Sequence, residues 1–98
     1  MPENKTLARF NECVEQLCNQ AKSQPGRYPV SEDHCFLRII YDAVVGDKWD
    51  RKVKRPARKN LTEEQMQQCL ALGQQLLNNP VLCKELQEQS LGFRKRKF

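Results

Sequence analysis

The chain has 98 residues, 39 % of them hydrophobic and 30 % charged, with a net charge of +5. That length sets one domain with a single modest core, burying roughly 60 to 65 % of the surface its unfolded chain exposes. No apolar run of about 18 residues occurs, and residues 1 to 22 alternate polar and apolar positions, so neither a membrane span nor a signal peptide is expected.

From residue 4 to 22, Leu7, Phe10, Val14, Leu17 and Ala21 recur at intervals of three and four between polar neighbours, the pattern of an amphipathic helix. Pro25, Gly26 and Pro29 then stop that helix and supply a turn. Ser31 is expected to cap a second helix, with Glu32 and Asp33 at its positive end and Val30 stapling onto Cys35. Phe36, Ile39, Ile40, Ala43 and Val44 form its apolar stripe, and Gly46 is placed to end it in a left-handed conformation.

Residues 47 to 60 read as a long basic loop between the second and third helices, with Pro56 breaking any continuous helix. A connection of about fourteen residues is long for a small helical domain, and such lengths are more often functional than accidental. Leu61 through Met66 then gives a complete helix entrance, with Thr62 and Gln65 as a capping box and Leu61 reaching Met66. Met66, Cys69, Leu70, Gly73, Leu76 and Leu77 form the buried stripe of that third helix. Gly73 within it marks a close helix crossing, since an unneeded glycine costs about 1 kcal/mol relative to alanine. Asn79 and Pro80 open a fourth helix, whose stripe is Leu82, Cys83 and Leu86, extended by Leu91. Gly92 is taken to separate that helix from a basic tail.

These elements predict an all-α domain, a small four-helix bundle or three helices with a shorter fourth. The expected organisation is a helical domain over residues 1 to 92 and a basic C-terminal tail over 93 to 98.

Charge is segregated along this chain. Lys48, Arg51, Lys52, Lys54, Arg55, Arg58 and Lys59 surround Trp49 and face one acid, Asp50, in the stretch they span. Arg94, Lys95, Arg96 and Lys97 lie between Phe93 and Phe98. The two clusters hold eleven of the seventeen basic residues, which leaves the rest of the chain net negative. A localised positive field favours polyanionic partners. Arginines here can bind phosphate bidentately, lysines act as point charges, and Trp49 can either stack on an unpaired base or fold back over the bundle end. The expected function is a small non-enzymatic nucleic-acid-binding protein that holds the phosphate backbone of RNA or DNA through the loop and tail. The alternative is a protein-interaction adaptor or inhibitor docking the basic loop on an acidic partner protein, with Trp49 and Arg55 as anchors.

Other chemistry is poorly supplied. Cys13, Cys18, Cys35, Cys69 and Cys83 are an odd number for a disulfide framework and lie in or beside apolar stripes, as reduced core thiols of a cytoplasmic or nuclear protein do. Cys13 and Cys18 diverge by about 140° on a helix, His34 diverges from Cys35, and no metal or cofactor is expected. Catalysis would need one of these thiols beside His34 with Asp33 or Asp42 as the orienting acid, and no phosphate loop or nucleophile motif accompanies them.

Overall fold

In the computed structural model, which describes residues 5–95, the chain folds as five α-helices and one 3-10 turn, with no strand among the described residues. The all-α small bundle predicted from periodicity is the fold. Helix α1 is Lys5–Ser23, α2 Asp33–Val45, α3 Ala57–Asn60, α4 Glu63–Leu76 and α5 Pro80–Lys95, and the 3-10 turn Trp49–Arg51 lies between α2 and α3. Helix α1 packs chiefly on α4 and α2 on α5, with α2 also crossing α1 and α4. The body measures 40 × 38 × 17 Å, the thickness of two helix layers at interaxial spacings of about 8 to 10 Å.

The stripes of the four longer helices meet in one core. Phe10, Leu17, Phe36, Ile39, Ile40, Met66 and Leu76 are fully buried, and each such side chain contributes about 1.5 to 3 kcal/mol relative to exposure. Gly73 sits where α4 crosses α1, and a Cβ there would lie 3.1 Å from Cys13 Sγ. Any side chain here is therefore tight against α1, as the glycine's place in the stripe implies.

The helix ends follow local chemistry with one shift. At α4 the Thr62 hydroxyl accepts the Gln65 amide and Gln65 Oε1 accepts the Thr62 amide, both at 3.0 Å, which completes the expected capping box. Gly46 closes α2 at φ +80° and its amide donates to Asp42 O. The α2 entrance differs from expectation: Glu32, not Ser31, occupies the capping position and makes no side-chain cap bond. One residue further on, the Asp33 carboxylate accepts the His34 amide at 2.7 Å, so the acid at the positive end of the helix supplies the acceptor. Before α5, Asn79 Oδ1 accepts the Leu82 amide and Pro80 takes the first helical position.

Two expectations are corrected. The connection from residue 47 to 60 is not a long loop, because the 3-10 turn and α3 occupy half of it. Trp49, Val53, Ala57 and Leu61 recur every four residues within it, and the Val53 amide donates to Trp49 O and the Leu61 amide to Ala57 O. Val53 and Ala57 are buried, and Trp49 and Leu61 pack against the core, so this apolar series pins the segment to the body. Gly92, secondly, does not end the last helix. Helix α5 runs through it to Lys95, because a mid-helix glycine costs only about 1 kcal/mol and the turn beyond it is held by Arg94.

Candidate polyanion-binding face

The side chain that organises this face is Asp42, which is completely buried on α2. Four donors converge on its carboxylate. Trp49 N donates to Oδ1 at 2.9 Å, Ser90 Oγ donates to Oδ2 at 2.6 Å, and Arg94 donates Nε to Oδ2 at 3.1 Å and Nη2 to Oδ1 at 3.2 Å. The Arg94 pairing is side-on and bidentate, the strongest geometry available to a guanidinium and a carboxylate. Through Asp42 the end of α5 and the start of the basic segment are both tied to α2.

Around that anchor the basic segment is cross-linked by its own acids. Arg55 Nη2 donates to Asp50 Oδ2 at 2.7 Å while its guanidinium lies over the Trp49 ring, 5.3 Å from the centroid. Lys48 Nζ stands 3.8 Å from the other Asp50 oxygen, and Arg51 Nη1 lies 3.6 Å from Asp47. The Arg55 guanidinium holds the Asp50 carboxyl below the usual carboxylate range, its hydrogen bond outweighing partial burial, with Lys48 adding to the effect. Trp49 meets Tyr41 edge-on at 5.5 Å, and burial pushes the Tyr41 hydroxyl up to about 12.

The cations singled out in the sequence therefore divide into two groups. Lys48, Arg51 and Arg55 stand beside carboxylates, and Arg94 is turned inward onto Asp42 instead of projecting as part of a tail. Lys52, Lys54, Arg58 and Lys59 are exposed, and their side chains make no ion pair or hydrogen bond among the described residues. Lys95 is exposed at the end of α5. Arg96 and Lys97 lie outside the described residues. Trp49 is half-buried against the core and also carries Arg55, so it acts at once as a cover for the bundle end and as part of the surface.

Sequence reasoning missed Arg38 and the part played by Asp42 and Ser90. A cleft of about 320 Å³ opens between α2, the 3-10 turn and α5, lined by Leu37, Arg38, Tyr41, Trp49, Arg55 and Arg94, with His34 completing it. Arg38 enters it from α2 and donates Nη2 to Gln87 of α5. The signal for Ser90 was available: it lies seven residues after Cys83 and four after Leu86, on the apolar stripe of the last helix, and Arg94 follows it by one further turn.

The cleft at the start of α2 is less suited to anions. It occupies about 510 Å³ between α1 and the start of α2, is lined by Glu15, Glu32 and Asp33 against a single cation, Lys22, and repels phosphate. No group of three His, Cys, Asp or Glu side chains among the described residues could hold a metal ion. Burial pushes the thiols of Cys69 and Cys83 up to about 12 and about 11, and that of Cys13 upward as well. None of the three is disposed to act as a nucleophile at neutral pH. No helix among the described residues is long and apolar enough to cross a membrane. Compared with known proteins, the chain matches no family model, no curated protein and no solved structure.

Proposed function

We propose that this protein binds the phosphate backbone of RNA or DNA without catalysing a reaction. The observation that carries the proposal is the set of exposed cations at Lys52, Lys54, Arg58 and Lys59, none paired with an acid among the described residues. They stand on a segment that buried Val53 and Ala57 fix to the bundle. A mobile loop would lose conformational freedom on binding, whereas cations on a fixed backbone keep more of their attraction for a polyanion. The paired residues Lys48, Arg51, Arg55 and Arg94 contribute differently: their acids hold them in place and cancel part of their charge.

The test is fluorescence anisotropy with labelled duplex and single-stranded oligonucleotides across a salt series. Neutralising five phosphates, one for each of the four exposed cations and Lys95, gives a slope of log affinity against log salt of about −4.5 on a duplex and −3.5 on a single strand. Replacing Lys52, Lys54, Arg58 and Lys59 together by alanine removes binding and leaves the helical circular dichroism unchanged. Micromolar protein that binds no oligonucleotide at low salt rules the proposal out. Retention of a protein partner from cells after nuclease treatment supports the adaptor alternative instead.

A further inference from the structure

We infer that the cleft between α2, the 3-10 turn and the end of α5 receives one unpaired nucleotide. The base lies against the Trp49–Arg55 stack and the phosphate lies on Arg38. This rests on the nucleic-acid reading above and adds to it a preference for single strands carrying bases.

Three features of the cleft carry the inference. The first is its composition, since three guanidiniums and two aromatic rings share one concavity. Phosphate and base are the two halves of a ligand that needs both: guanidiniums bind phosphate through fixed N–H groups, and bases stack on aromatic rings or on guanidinium planes. The second is its charge. Asp42 offsets Arg94 and Asp50 offsets Arg55, whereas among the described residues no carboxylate lies within ion-pair distance of Arg38, whose one polar side-chain partner there is the neutral Gln87. The cleft thus keeps a positive charge, and Asp33, beside His34 at 3.7 Å, is the remaining acid on this part of α2.

The third feature is preorganisation. Arg55 is held over the indole, 5.3 Å from the ring centroid, by Asp50 at 2.7 Å and yet its side chain is 73 % exposed, so much of it is open to an incoming base. Arg94 is locked by Asp42, and Trp49 is anchored through its own amide to the same carboxylate. A volume of about 320 Å³ is near the lower limit of small-molecule clefts, about 300 to 1,000 Å³, which suits one nucleotide and not an extended cofactor. Duplex bases are already stacked and paired, so a duplex can offer this cleft only its backbone.

Trp49 is the sole tryptophan, so its emission reports on the cleft directly. The experiment titrates the protein with a short oligothymidylate, with an abasic strand of the same length, and with polyglutamate. The expected result is quenching of Trp49 by the oligothymidylate and an affinity about five- to a hundredfold above that for the abasic strand, the range of one base–aromatic stack. Arg38→Gln, which leaves the Asp42 and Asp50 pairings untouched, removes the phosphate contact and weakens oligothymidylate binding, whereas Arg55→Gln, which takes the guanidinium off the indole, reduces that ratio towards one. Unchanged oligothymidylate affinity in both variants overturns the assignment. Equal affinities with unchanged emission overturn the nucleotide cleft while leaving backbone binding in place. Failure of both strands to bind overturns the cleft, and failure of a duplex as well overturns the proposed function with it. Quenching by polyglutamate with no response to either strand or to a duplex assigns the cleft to acidic peptide and overturns both.

Discussion

Arg94, from the last turn of α5, closes a bidentate ion pair on Asp42 of α2, with the arginine side chain 26 % exposed and the carboxylate fully buried. The two partners are unequal, and that asymmetry decides what each substitution does. Removing Arg94 strands a carboxylate in the interior with only Ser90 Oγ and Trp49 N as donors. Removing Asp42 leaves a guanidinium that can turn to water and two uncharged donors, Ser90 Oγ and the Trp49 amide, without their acceptor, a smaller penalty than a stranded charge. Arg94→Ala is therefore expected to cost about 3 to 5 kcal/mol, the usual penalty for breaking a buried pair, and Asp42→Ala distinctly less. The double replacement Asp42→Leu with Arg94→Met is expected to recover most of the loss. Urea unfolding of the four proteins checks this, and equal costs for the two single variants would contradict it.

The same pair separates what could be read in the sequence from what could not. Helices α1, α2, α4 and α5 announce themselves by apolar residues at intervals of three and four, and the Thr62–Gln65 box and Gly46 mark their ends by local chemistry that needs no tertiary partner. Residues 47 to 60 hide their order because their apolar signal is one residue in four, Trp49, Val53, Ala57 and Leu61, set among seven cations. The inward turn of Arg94 could not be read at all. Its partner is 52 residues away, and nothing local distinguishes it from Lys95. The site was legible as a cluster of charge, but which cations are neutralised depends on long-range packing of α5 on α2.

Gly73 tests the closeness of the α1–α4 crossing. Alanine at this position gains about 1 kcal/mol of helix propensity but places a methyl 3.1 Å from Cys13 Sγ, with ordinary contacts of 3.8 Å to Ile40 and Phe10. Overpacking a filled core costs about 1 to 3 kcal/mol, so Gly73→Ala is expected to be net destabilising. Shortening the opposing side chain with Cys13→Ala makes room for the new methyl, and Gly73→Ala is expected to become stabilising in that background. Additive effects of the two changes would show that the helices adjust without strain.

Thiol chemistry gives a separate reading of burial. Cys35 is half-exposed and the other four cysteines are buried, with Cys13, Cys69 and Cys83 also raised in pKa by desolvation. Cys18 is raised by burial first and by Asp33 second. Since the thiolate is the reactive form, a disulfide reagent at pH 8 is expected to modify Cys35 rapidly and Cys18 slowly. The other three react only on unfolding. Rapid reaction of Cys69 in the native protein would refute the placement of α4.

Stability is expected to fall at both extremes of pH, for different groups. Asp50 has a depressed native pKa, so its contribution is complete above its ordinary value of 3.8 and is lost as pH falls through the lower native value. Asp50→Asn removes that acid dependence. Tyr41 and Cys69 are raised to about 12 and Cys83 to about 11, from ordinary values of 10.0, 9.0 and 9.0. Their contribution is complete below about pH 9 and is lost as pH rises towards 12, because the unfolded chain releases those protons first. Urea midpoints measured from pH 2 to 12 give a plateau bounded by these two losses.

Tyr28 provides the last prediction, at the opposite end of α4 from the capping box. Its buried ring meets Phe36 edge-on at 5.9 Å. Its hydroxyl lies 2.9 Å from both Leu76 O and Gln20 Oε1 and accepts the Asn78 amide at 3.0 Å. One proton serves two acceptors there, and the Asn78 amide has a second acceptor in Gln20 Oε1 at 3.3 Å. Asn78 itself is held at φ +61°, a conformation that asparagine tolerates better than most residues. Tyr28→Phe keeps the ring and removes the hydroxyl; Leu76 O still accepts the Asn79 amide at 3.0 Å and the Asn78 amide keeps Gln20 Oε1, so the change is expected to cost about 0.5 to 1.5 kcal/mol, the net value of an ordinary hydrogen bond. Since the α4–α5 turn depends on this bond and the Asp42 network does not, amide exchange should accelerate at Asn78 and Asn79 and stay unchanged at Trp49. Uniform acceleration across both regions would mean that the turn and the basic face open as one unit.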